Sequence, residues 1–148
     1  MKLRLLLGVV AVGLASACGG GGDDGGSGGG GGDGGGGGPV TIELEEQNGS
    51  GKTATVTLEP GIGTTELTLE ITPESGAENA DIHVHKATCE DVTGETEVAH
   101  EVGFVTAGLG QGSIFVPLSE IATGEYVIDV HNPKKPDELL VCGAIPEQ

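Results

Sequence analysis

From Val40 onward apolar and polar residues alternate. In VTIELEE (residues 40–46), Val40, Ile42 and Leu44 fall on one side and Thr41, Glu43 and Glu45 on the other. That period of two is the mark of a half-buried strand. TATVTLE repeats it with Ala54, Val56 and Leu58, and ELTLEI with Leu67, Leu69 and Ile71. NGSG between the first two runs reads as a turn, because Asn and Gly tolerate positive φ. Ala80, Ile82 and Val84 carry the series into IHVHKATC. EVAHEVGFV places Val98, His100, Val102 and Phe104 on one face, with Gly103 as its weak point. SIFVPL predicts a short apolar strand ending near Pro117. EYVIDVH sets Tyr126, Ile128 and Val130 against Val127, Asp129 and His131. ELLVCGAI is apolar on both faces, as in a strand covered from both sides. Only LSEIATG suggests a helical turn. Seven to eight short strands parted by Gly, Pro and Asn turns predict an all-β fold, an antiparallel Greek-key-type β-sandwich or barrel.

The first 38 residues follow another pattern. Lys2 and Arg4 precede the almost wholly apolar run Leu5–Ala17, which is too short to span a bilayer as a helix. Its end, LASAC, resembles the lipobox of bacterial lipoproteins, with Cys18 as the lipidated N-terminus; ordinary secretion with an unmodified Cys18 is the alternative. Several acyl chains make a stable anchor, since each buried CH₂ contributes about 0.8 kcal/mol. Gly19–Gly38 holds sixteen glycines, three aspartates and one serine. It has nothing to pack and reads as a tether with an r.m.s. reach of roughly 25 Å. A phosphate-binding loop is excluded, because no Gly-Lys-Ser/Thr ending is present. The expected organisation is a lipoprotein signal peptide over 1–17, lipidated Cys18 and tether over 18–38, and one domain over 39–148. The expected location is the bacterial cell envelope, periplasmic or at the cell surface.

Charge narrows the choice of partners. Residues 39–148 carry four lysines and no arginine against twenty acids, a formal charge of −16. Such a surface repels nucleic acid and anionic lipid, which leaves the anchor as the only membrane contact and an envelope or extracellular protein as the expected partner. Solubility in a salty habitat is the plain explanation of the acids, and no EF-hand loop accompanies them. Phe104, Phe115 and Tyr126 are the domain's only rings, so its core is expected to be poor in aromatics. Apart from Cys18, Cys89 and Cys142 form an even pair in an exporting chain. A bridge between them closes a loop of about 54 residues, worth roughly 4 kcal/mol in lost chain entropy; two reduced, buried cysteines are the alternative. No glycine-flanked nucleophile elbow marks a hydrolase.

Candidate chemistry centres on histidine. His83 and His85 share a face if IHVHKATC is a strand, and His131 also lies on the polar side of its own strand. Metal ligation needs imidazoles converging from separate strands, and three neutral imidazoles without thiolate suit Cu(II) or Zn(II). Outward histidines on a sheet are more often plain surface residues. IHVHKATC resembles the FHVH…C segment of copper/zinc superoxide dismutases. VHNPKKPDELLVCGAI resembles that family's late copper histidine, the loop after it and its closing ACGVI strand. GEYVIDVHNP following an HxH strand is also similar to CHRD domains, found in chordin and in exported bacterial proteins. These resemblances cover residues 80–145. They imply a β-sandwich of that plan, copper at His83, His85 and His131, and a Cys89–Cys142 disulfide.

Two parts of the dismutase pattern are missing. No histidine follows the disulfide cysteine until His100, where those enzymes carry a zinc-binding loop, and residues 39–148 hold no arginine to steer superoxide. Lys86, Lys134 and Lys135 alone remain to draw an anion against the acidic field. The expected function is therefore an exported, lipid-anchored, non-enzymatic envelope binding module with a copper site at His83, His85 and His131. The alternatives are a copper-only dismutase-like enzyme using the same histidines, with Lys86 or Lys134 guiding the anion, and a structural scaffold with no metal.

Overall fold

Three of the alternating runs become strands with their apolar positions inside. The computed structural model describes residues 37–148; the predicted signal peptide, Cys18 and all but the last residues of the tether lie outside the described residues. β1 (Val40–Glu46), β2 (Thr53–Pro60) and β3 (Thr65–Thr72) form an antiparallel meander. Register sets Ile42 opposite Val56 and Val56 opposite Leu69, so the inward side chains line up in layers. The NGSG turn holds Asn48 at φ 53° and Gly49 at φ 66°, the conformation those residues tolerate best.

β4 (Asp81–His85), β5 (His100–Thr106) and β6 (Leu109–Ile114) make a second meander. A single helical turn, α1 (Leu118–Ile121), then leads to β7 (Val127–Asn132) and β8 (Lys135–Ala144). The order around the wall is β1-β2-β3-β6-β5-β4-β7-β8, and β8 pairs back to β1 through Glu45 and Cys142 to close an eight-stranded antiparallel barrel. Only the β3–β4 and β6–β7 connections join strands that are not neighbours, each passing over two. They place β3 beside β6 and β7 beside β4, which is Greek-key connectivity at both crossings. The closing contacts are short: β1 meets β8 at Glu45 and Glu46, and β5 meets β6 at Val105 and Thr106.

The barrel interior is aliphatic, running from Val40 and Leu44 through Val56, Leu69 and Ile82 to Ile128. No phenylalanine enters it: Phe104 and Phe115 are exposed, and Tyr126 packs only at the margin. Two sequence expectations need correction here. EVAHEVGFV does not keep one face, because the pairing slips between Ile82 and His83, leaving Val102 as an extra residue on β5. Beyond Gly103, at φ 155°, the alternation is reversed, so Val105 is buried and Phe104 faces out. SIFVPL is not a strand in its own right. β6 runs earlier, through LGQGSI, because its glycines permit close approach: a Cβ on Gly110 would strike Ile82 and one on Gly112 the Val102 carbonyl.

Outside the wall lies a second apolar cluster, in which Val92, Val127, Leu139 and Cys142 are buried with Ala87 and Cys89 against them. It is shared between the outward positions of β7 and β8 and segment 86–99. The Cys89–Cys142 disulfide, with Cα atoms 5.8 Å apart, ties that segment to β8. ELLVCGAI is thus apolar on both faces for a reason: Leu140 and Val141 join the barrel core, Leu139 and Cys142 the outer cluster. Elsewhere the buried Lys52 donates from Nζ to the carbonyls of Pro73 and Ser75 at 2.7 and 2.6 Å, pinning the connection from β3 to β4.

Candidate metal centre

The pairing of β4 with β7 assembles the site. Ile82 stands opposite Val130, His83 opposite Asp129, Val84 opposite Ile128 and His85 opposite Val127. Ile82, Val84, Ile128 and Val130 are fully buried in the barrel core. The alternate residues His83, His85, Asp129 and His131 therefore project from the outer wall. They do not form a solvated surface. Asp129 is 0 % exposed, His85 1 % and His131 7 %, and only His83 is half-buried.

Two backbone carbonyls from outside the β4–β7 pairing fix the rings. The Glu97 carbonyl, in segment 86–99, accepts from His85 Nδ1 at 2.9 Å, and the Pro136 carbonyl, in β8, accepts from His131 Nδ1 at 2.6 Å. A carbonyl can only accept, so each Nδ1 carries hydrogen and each neutral ring keeps its lone pair on Nε2. That is how metal-ligating imidazoles are usually held. Both Nε2 atoms then meet Asp129: His85 Nε2 lies 3.3 Å from Oδ2 and His131 Nε2 lies 3.0 Å from Oδ1. These are close contacts without hydrogen-bond geometry. Among the described residues, His83 Nδ1, His85 Nε2, His131 Nε2 and both Asp129 oxygens are all buried with no hydrogen-bond partner. With neutral rings, lone pairs face lone pairs.

Five such atoms in one place need a physical explanation. A cation supplies it. One donor atom from each of the four side chains lies within 4.8 Å of every other, and the His83 and His131 ring centroids are 4.8 Å apart. Four donors around one ion at bonds of about 2.1 Å stand about 3.4 Å apart in a tetrahedron, so a modest inward movement forms the shell. Three imidazole nitrogens and one carboxylate oxygen fit a divalent transition ion. The His/Asp cluster is able to hold a metal.

Ionisation follows the same contacts. Burial, then the neighbouring His131, pushes His83 below its usual range and favours the neutral ring that ligates. His131 is held above its usual range by its contact with Asp129, against the opposing effect of burial.

The structure brings His83, His85 and His131 together and adds Asp129, which sequence reasoning had placed on the His131 side without giving it a role. The available signal was Asp-x-His on one strand face; the missing information was the register that sets Asp129 across from His83. His100 begins β5 and stays outside the cluster. Cys142 is the neighbour of Asp129 across β7 and β8, so the disulfide lies one strand from the site. Lys86 is paired with Glu125 at 3.0 Å and Lys135 with Glu138 at 2.9 Å.

Comparison of the sequence with protein-family models, with curated proteins and with solved structures finds no match. The antiparallel barrel and its His/Asp cluster are consistent in general plan with the dismutase-like and CHRD-like resemblance.

Proposed function

We propose that residues 39–148 form a non-enzymatic metal-binding module of an exported, lipid-anchored envelope protein, holding one copper ion at His83, His85 and His131 beside Asp129. The observation that carries this reading is the set of five buried donor atoms without partners on four neighbouring side chains. A bound ion supplies the positive charge those lone pairs face. The chain supplies the orientation, with the Glu97 and Pro136 carbonyls aiming His85 and His131 and burial keeping water from their Nε2 atoms. A non-enzymatic role is favoured over a dismutase because Lys86, one of the two lysines able to guide the anion, is paired with Glu125 and an acidic domain opposes an anionic substrate. Export and anchoring rest on Lys2, Arg4, the Leu5–Ala17 run and Cys18 in the lipobox-like LASAC. A protein of the envelope or the cell exterior is the partner this location suits.

Copper titration tests the site. The wild-type domain takes up one equivalent of Cu(II), and His83→Ala or His131→Ala each lowers affinity on the order of tenfold or more. Stoichiometric uptake that survives both substitutions, or no uptake by the wild type, ends the reading. Mass analysis of detergent-extracted protein tests the anchor, with acyl chains expected on Cys18.

A further inference from the structure

The least expected group in the cluster is Asp129. Its carboxylate is completely buried, and neither oxygen receives a hydrogen bond from backbone or side chain. A buried carboxylate in that condition costs several kcal/mol unless opposite charge lies beside it. The groups nearest to it are the Nε2 atoms of His85 and His131, at 3.3 and 3.0 Å. The Glu97 and Pro136 carbonyls hold both rings with hydrogen on Nδ1, so Nε2 lone pairs face the carboxylate, and a cation among the four side chains is the opposite charge that satisfies Asp129.

We infer that Asp129 is a direct fourth ligand, and that it makes the site selective for divalent ions, Cu(II) and Zn(II), over Cu(I). The inference rests on the reading that the cluster holds a metal. Three imidazoles alone accept copper in either oxidation state, so the choice falls to the fourth donor. A carboxylate oxygen is a hard donor that favours harder ions, whereas Cu(I) favours soft sulfur ligands. Its attraction to a doubly charged ion at a given distance is also twice that to a singly charged one. Burial strengthens that difference, because little water screens it. Four protein donors fill a tetrahedral shell, so the ion is held rather than cycled between oxidation states.

The test compares wild type with Asp129→Asn for Cu(II), Zn(II) and, without oxygen, Cu(I) in competition with a chromogenic Cu(I) chelator. Asparagine keeps the shape and removes the charge. Wild type is expected to bind both divalent ions at least about tenfold more tightly than the variant, with Cu(I) affinity changed far less. The electron paramagnetic resonance spectrum of bound Cu(II) is expected to change as an oxygen ligand is altered, and ascorbate is expected to reduce copper in the variant more readily. Equal loss of Cu(I) and Cu(II) affinity, or an unchanged spectrum, overturns the inference while leaving the metal site standing. Should the variant fail to fold, the wild type decides alone: Cu(I) bound as tightly as Cu(II) overturns it. Binding of no metal by the wild type removes this inference together with the reading beneath it, and normal uptake in His83→Ala and His131→Ala would locate the ion elsewhere.

Discussion

The surroundings of His131 and His83 shift their protonation in opposite directions, and a metal needs both rings neutral. His131 is raised above the ordinary value of 6.5 by its contact with Asp129, while His83 is lowered, mainly by burial. In the metal-free domain the His131–Asp129 contact contributes stability that is fully present below pH 6.5 and is lost as pH rises through the raised value. His83 contributes the reverse: its preference for the neutral form is fully felt above 6.5 and is lost as pH falls through the lowered value. Ligation needs both rings neutral, so the proton that competes most strongly sits on His131. Copper is therefore expected to bind more weakly at about pH 6 than at about pH 8 and to release a proton on binding at the lower value. Titration in buffers of different ionisation enthalpy measures both, and an affinity flat across that range contradicts the role given to His131.

The element that makes the outer wall a site is segment 86–99. It carries Cys89, Val92 and the Glu97 carbonyl, and the disulfide ties it to β8 beside Asp129. Cys89→Ser with Cys142→Ser is expected to lower unfolding free energy by up to about 4 kcal/mol, the entropy of the loop the bridge closes. Copper affinity is expected to fall as well, because His85 loses the fixed carbonyl that orients it. Urea unfolding and copper titration of the same variant read the two effects separately; a folded variant with wild-type affinity would show that the segment keeps its place unaided. Legibility at this scale was uneven. The strands with strict alternation, from VTIELEE to EYVIDVH, could be read because one continuous face is buried. β6 could not, since LGQGSI has no apolar face and is placed by the room its glycines leave for Ile82 and Val102.

For the whole molecule, the excess of acids is a stored repulsion. The chain carries a net −17, nearly all of it on the barrel domain, and the buried Lys52 together with the paired Lys86 and Lys135 offsets little of it. Raising ionic strength from about 0.01 M to about 0.15 M shortens the screening length from about 30 Å to about 8 Å. The thermal midpoint is expected to rise by several degrees over that interval in scanning calorimetry, and a fall would show that the paired charges outweigh the repulsion. Phe104 and Phe115 can stay outside because the aliphatic interior is complete without them.

The alternating pattern was enough to specify an all-β fold, the inward residues of five of its strands, a pair of cysteines available for bridging, and three histidines on polar strand faces. All of these follow from the period of two, from composition or from cysteine parity, and none requires knowing which strand lies beside which. The tertiary structure decided the rest. It set His83 across from Asp129, turned an apparently solvated face into a buried one, and left the phenylalanines outside. These depend on cross-strand register, on the bulge between Ile82 and His83, and on a segment folded over the wall by a disulfide. Register joins residues far apart in the chain, and no local pattern encodes it. IHVHKATC shows where the division falls: its alternation could be read from the chain, but the carboxylate that gives its histidines a purpose arrives from β7.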